Sequence, residues 1–129
     1  FRDNVMFDAG KLTGFFDFYF AGNDKWLFDL AVALNDWCLN ADQSGVNGLF
    51  NEQNARHFIA AYEKVRPLNA AERQLLPAML RAAALRFWIS RLWDFHLPRE
   101  ASVLKAHDPT HFERVLRQRV NSPLRIMAT

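Results

Sequence analysis

FRDNVMFDAGKLTGFFDFYFAGNDKWLFDLAVALNDWC, residues 1–38, is the stretch on which the fold turns. Val5, Met6 and Phe7 form a strand-like apolar group, and Asp8-Ala9-Gly10-Lys11 is a turn signal. Leu12 to Phe20 is then rich in Phe and Tyr, which strands favour, so the two segments predict a hairpin. Ala21-Gly22-Asn23-Asp24 breaks the second strand and supplies capping residues, and a helix is expected from Asp24 to Leu39. That helix is apolar nearly all round (Trp26, Leu27, Phe28, Leu30, Val32, Leu34, Trp37, Cys38), the pattern of a helix enclosed in a protein interior.

Beyond it the chain reads as helices alone. Residues 40–50 are polar and glycine-containing, a loop. Asn51 to Val65 predicts a second helix with Phe58, Ile59, Tyr62 and Val65 on one stripe, ended by Pro67. Asn69 followed by Glu72 reads as a capping box opening a long helix to about Phe95, which Pro77 is expected to kink or split. Ala82-Ala83-Ala84 allows close helix approach, Phe87, Trp88 and Trp93 read as core, and Pro98 closes the element. Asp108-Pro109, a capping residue with proline at the first helical position, starts a last helix running through Phe112, Val115 and Leu116 to about Val120. The expected fold is mainly α: a short β-hairpin followed by four or five helices in a single domain, residues 1–129. A hairpin by itself is marginal in water and must lean on those helices.

Composition narrows the function classes. The chain has 129 residues, 50% hydrophobic and 23% charged, which excludes wholesale disorder. Cys38 is the only cysteine, so neither a disulfide framework nor a cysteine-based zinc cluster can form, and a reducing compartment fits. Charged residues interrupt every apolar run well short of the about 18 residues a membrane span needs. Residues 65–129 carry 11 basic against 5 acidic residues, but the arginines are spread along helical patterns rather than clustered, which argues against nucleic acid.

Three polar residues stand inside the apolar hairpin: Asp3, Asn4 and Asp17. A carboxylate between Phe16 and Phe18 is costly unless it is paired, hydrogen-bonded or bound to a metal. Hairpin pairing can bring Asn4 beside Asp17, and an amide oxygen with a carboxylate is a hard-oxygen pair suited to magnesium, which completes its shell with water and phosphate. On spacing alone the same residues read more readily as a backbone cap at Asp17 and a turn residue at Asn4. Asp36 and Trp37, on the helix after this strand, are the candidate substrate-pocket residues. Arg86 and Arg91 could grip a carboxylate by a bidentate contact, or could equally be ion-paired on their long helix. Cys38 has no basic neighbour in sequence and reads as a buried apolar residue, Ser90 has no His/Asp partners in sequence, and His107 with His111 straddles a helix start, a poor zinc arrangement.

"FRDNVMF", a turn, then "LTGFFDFYFAGNDKWLFDLAVALNDWC" resembles the catalytic segment of the aminoglycoside-phosphotransferase-like kinases. That segment is a His-x-Asp-x-x-x-x-Asn loop, a strand, a turn, and a strand holding Asp between aromatic residues. "FFDFYFA", "NDWC" and "LRAAALRFWISRLWDFHLPR" bring the likeness nearer to the homoserine-phosphorylating branch of that superfamily. The resemblance implies a C-terminal, mostly helical kinase lobe, ATP and homoserine as substrates, Mg2+ held by Asn4 and Asp17, and Asp29 bracing the catalytic loop through backbone N–H groups of Arg2–Asn4. It also implies a cytoplasmic enzyme of threonine biosynthesis. The catalytic Asp of the pattern falls two residues before Phe1, so the catalytic base and the nucleotide-gripping lobe are expected outside this chain, which alone is expected to be inactive and to self-associate. The alternatives are a kinase of the same superfamily acting on choline, methylthioribose or an aminoglycoside, and a non-catalytic helical interaction module.

Overall fold

In the computed structural model, the described residues are 1–19, 21–40, 49–97 and 107–124. A single 3-10 turn, Arg2–Asn4, leads into β1 (Val5–Asp8) and β2 (Lys11–Phe15), then α1 (Trp26–Trp37), α2 (Glu52–Glu63), α3 (Ala70–His96) and α4 (Thr110–Asn121). The expected mainly α fold, a hairpin followed by four helices, is what forms. Phe20, Pro98 and most of the expected loop at 40–50 lie outside the described residues.

β1 and β2 are antiparallel, pairing Val5 with Phe15, Met6 with Gly14, Phe7 with Leu12 and Asp8 with Lys11. The register slips between Met6 and Phe7, leaving Thr13 as the extra residue of a bulge. Ala9 (φ 45°) and Gly10 (φ 77°) both take positive φ, the two-residue turn whose twist matches the strands it joins. β2 is shorter than expected. Its ladder stops at Phe15, Phe16 adds one hydrogen bond from its N–H to the Asn4 carbonyl (3.1 Å), and Asp17 then turns into the left-handed region at φ 66°. Asp is among the residues that tolerate that region, so the aromatic run does not continue as strand despite its composition.

The helix boundaries follow local hydrogen bonding. Asp24 accepts the Lys25 N–H (2.6 Å), and α1 begins at Trp26 rather than at Asp24. Asn51 caps α2 by accepting from the Asn54 N–H (2.9 Å). At α3 the capping box closes in both directions: Asn69 Oδ1 accepts from the Glu72 N–H (2.9 Å), and Glu72 accepts from the Asn69 N–H (3.0 Å). Pro77 does not split α3, which is assigned without a break from Ala70 to His96. Asp108 accepts the Thr110 N–H (2.9 Å), with Pro109 already at helical φ and ψ, so this pair opens α4 in the expected way.

α3 packs against α1 and against α4. One core cluster joins Leu27, Leu30, Ala31 and Leu34 of α1 to Ala55 and Ile59 of α2 and to Leu76, Leu80 and Ala83 of α3. A second sets Ala84 against Phe112 and Val115, with Phe1, Phe87 and Trp88 packed on it. Ala83 and Ala84 are fully enclosed, the close approach expected of the alanine run. Three aromatic or branched positions depart from expectation. Trp26 and Trp93 are exposed, 67% and 59%. Val65 is 90% exposed because α2 ends at Glu63 and the following turn carries Val65 off the stripe.

A polar thread runs through the core. Arg119 of α4 is 1% exposed, its guanidinium stacked over the Phe50 ring at 3.9 Å and its Nε donating to Asn35 Oδ1 (2.9 Å). The Asn35 amide donates in turn to the Leu80 carbonyl (2.8 Å), tying α1, α3 and α4 together. Cys38 lies near this guanidinium, the basic neighbour its local sequence does not reveal. Burial outweighs the cation and pushes the thiol up to about 11.

Candidate functional site

The hairpin brings Asn4 and Asp17 together as the sequence predicts. The Asn4 amide nitrogen donates to Asp17 Oδ2 at 3.4 Å, across 13 residues of chain. The 3-10 turn is closed by the Asn4 N–H on the Phe1 carbonyl (3.1 Å), which fixes where Asn4 stands. The left-handed backbone at Asp17 swings its carboxylate out of the strand direction. Neighbouring oxygen ligands around magnesium at about 2.1 Å lie roughly 3 Å apart, so a pair at this spacing fits one such ion once the amide presents its oxygen. Among the described residues no group of three or more His, Cys, Asp or Glu gathers, and magnesium needs only one or two protein ligands.

The residue that braces the turn is Asp36, and this corrects the expectation for Asp29. The Arg2 N–H donates to Asp36 Oδ2 at 2.5 Å, and Arg2 Nε lies 3.3 Å from Oδ1. Asp29 stands on the exposed side of α1. The two carboxylates are seven residues apart, close to two helical turns, and therefore project in nearly the same direction. Only the one nearer the C-terminal end of α1 meets the turn.

Asp36 thus has a structural partner, although it also borders a cleft. Trp37 does not line that cleft. Its ring meets Phe7 at 6.1 Å edge-on and fastens the hairpin to α1. The cleft encloses about 370 Å³ beside the turn. It is lined by Arg2, Asp3 and Asp36, by Arg91 of α3, and by His107, Asp108, His111 and Arg114, together with Phe1 and Phe112. Its charges are partly paired internally: Arg2 with Asp36, and Arg114 with Asp108 at 3.5 Å. Arg114 also donates to Thr110 Oγ1 (2.6 Å), while its buried Nε has no acceptor among the described residues. Burial depresses the His111 imidazole, and Arg114 and Arg2 reinforce this against the opposing pull of Asp36 and Asp108.

Of the two arginines singled out in the sequence, the structure separates one from the other. Arg91 faces the cleft, whereas Arg86 lies over the Phe87 ring at 4.7 Å and lines no part of it. Arg114 escaped the sequence reading because nothing local marks it. Arg119 had a signal: it falls seven residues after Phe112, on the stripe that Phe112 and Val115 bury.

The hairpin thus presents an Asn–Asp pair and is braced on a helical lobe. Residues 1–68 match the sequence profile of the phosphotransferase enzyme family, and the chain belongs to that family. It is 61% identical over 123 residues to the homoserine kinase of Polaromonas naphthalenivorans, covering 95% of this chain and 38% of that protein. It is 58% identical over 126 residues to the homoserine kinase of Cupriavidus metallidurans, and 57% over 120 residues to that of a Janthinobacterium species, covering 94% and 93% of this chain. The chain spans 36–38% of the length of these relatives. Among the described residues no helix is long and apolar enough to cross a membrane.

Proposed function

We propose that the whole protein transfers the γ-phosphate of ATP to the side-chain hydroxyl of homoserine, giving O-phosphohomoserine and ADP, as a cytoplasmic step of threonine biosynthesis. The observation that carries the chemistry is the Asn4–Asp17 pair at 3.4 Å. The homoserine kinases that match nearly all of this chain support the choice of acceptor.

In this reading Asn4 and Asp17 would hold Mg2+, which would supply positive charge against the negative charge of the phosphates during transfer. Asp36 fixes the turn through the Arg2 N–H and so keeps Asn4 in place. The hydroxyl oxygen bonds to the γ-phosphorus, the bond to ADP breaks, and the hydroxyl proton leaves to a carboxylate base that the family pattern places two residues before Phe1. The nucleotide lobe belongs to the same unseen part of the protein.

The test is steady-state phosphoryl transfer by the whole protein with L-homoserine, choline, methylthioribose and an aminoglycoside. Homoserine is expected to give the highest kcat/KM. Asp17→Ala is expected to lower kcat at least about 10³-fold, about 4 kcal/mol of transition-state stabilisation, with the far-ultraviolet circular dichroism unchanged. Near-normal transfer by that variant overturns the metal assignment, and preference for another alcohol overturns the acceptor.

A further inference from the structure

Asn4 is bracketed by two anchors that land on consecutive residues of α1. Two residues before it, the Arg2 N–H donates to Asp36 Oδ2 (2.5 Å). Three residues after it, the Phe7 ring meets the Trp37 ring at 6.1 Å, inclined by 64°. Asp36 is buried and Trp37 half-buried, and the two end α1. Asn35, just before them, bonds to Arg119 of α4 and to the Leu80 carbonyl of α3, so this end of α1 is tied to the rest of the lobe. Asp17 is held at second hand. The Phe16 N–H donates to the Asn4 carbonyl (3.1 Å), and the Asn4 amide nitrogen donates to Asp17 Oδ2 (3.4 Å). Whatever places Asn4 therefore places both members of the pair.

We infer that Trp37, with Asp36 beside it, is a positioning residue for phosphoryl transfer: the two fix Asn4 from either side and so set the divalent-cation affinity of the Asn4–Asp17 pair. The inference rests on the proposed magnesium role of that pair. Phe7 stays 55% exposed in spite of the ring contact, so the contact removes little surface from water and acts mainly on where β1 lies. Magnesium demands nearly ideal octahedral geometry, and a ligand displaced by about 0.5 Å no longer meets it. Groups that orient metal ligands without touching the metal matter for that reason, and losing one typically costs about 10- to 100-fold in metal affinity. Manganese accepts the same hard-oxygen octahedral set and serves as the probe.

The experiment measures Mn2+ binding to the whole protein by electron paramagnetic resonance, with a non-hydrolysable ATP analogue present, beside the steady-state KM for homoserine. Phe7→Ala and Trp37→Leu are each expected to weaken Mn2+ binding about tenfold or more, with the homoserine KM within about twofold of wild type. The double variant is expected within about twofold of the weaker single one, because the two rings act through one contact. Trp37→Phe, which keeps an aromatic ring, is expected to recover most of the affinity. Asp36→Leu is expected to weaken Mn2+ binding likewise, and Asp36→Asn, whose amide oxygen still accepts the Arg2 N–H, to recover most of it. Val65→Ala, at an exposed turn position, is expected to change nothing. Phe7 is exposed enough that its truncation leaves the fold intact, which circular dichroism checks, so the test stands even if a Trp37 variant unfolds. Mn2+ affinity within about twofold of wild type in a folded Phe7→Ala overturns the positioning role. Loss of binding in Asp17→Ala in the same assay then leaves the metal reading standing. Unchanged binding in Asp17→Ala overturns the metal reading, and this inference with it.

Discussion

At the scale of single residues, position in the fold rather than residue type decides chemistry. Asp29 and Asp36 share a helix and nearly a direction, yet only Asp36 closes on the turn, because the turn passes over that end of α1. His111 makes the same point through its proton. It sits in the cleft wall with burial as the main influence, so the folded state disfavours the charged form relative to the ordinary value of 6.5. The unfolded chain therefore binds more protons than the folded one as pH falls through that value. The His111 contribution to stability is complete above about pH 6.5 and declines below it. Chemical denaturation of the chain between about pH 7.5 and pH 5.5 should show a loss of stability that is smaller in His111→Gln. The carboxylates with lowered values, Glu72 and Asp108, respond mainly at lower pH and stay outside that window. An identical pH dependence in the variant would show that His111 is as well solvated as a free imidazole.

At the scale of elements, the helices are held together by apolar contact and by one buried polar thread. Asn35 is the hinge of that thread: it receives the Arg119 Nε and donates to the Leu80 carbonyl. Replacing it by Leu removes an acceptor from a buried cation and a donor from a buried carbonyl. Hydrogen bonds to charged groups are worth about 1.5–3 kcal/mol each, and a buried group left unpaired costs comparably. Asn35→Leu should therefore cost about 2–4 kcal/mol in urea denaturation, despite the greater apolarity of leucine. Destabilisation below about 0.5 kcal/mol would mean that Arg119 and Leu80 find other partners at no cost.

At the scale of the whole molecule, the hairpin is the least covered part. Phe18 is 69% exposed, Phe15 61% and Phe7 55%, and the two strands leave both sheet edges without a neighbour among the described residues. Open edges and contiguous apolar surface are the two features that drive chains to pair. The 129-residue chain by itself is therefore expected to self-associate through residues 1–19. Light scattering should report a mass that rises with concentration, and Phe15→Ser with Phe18→Ser should lower it. It is also expected to bind Mg-ATP too weakly for calorimetry to detect. A monomer at all concentrations, or micromolar nucleotide binding, would contradict this account of the hairpin.

The sequence alone determined the features that a few neighbouring residues settle among themselves. The Ala9-Gly10 turn, the Asn69–Glu72 capping box and the Asp108-Pro109 helix start depend on local dihedrals and hydrogen bonds, and each stands where its signal puts it. The meeting of Asn4 and Asp17 was legible for a related reason, since a short hairpin fixes which residues face one another. The end of β2 was not, because the aromatic run carries no mark of the left-handed turn at Asp17. Tertiary structure alone decided which of two aspartates holds the turn across 34 residues, and that Arg119 is buried against Asn35 across 84. It alone set Arg91 and Asp3 in one cleft. Such contacts depend on how whole helices pack, where the same apolar periodicity is compatible with several neighbours and a charged residue finds its partner only after the helices have met.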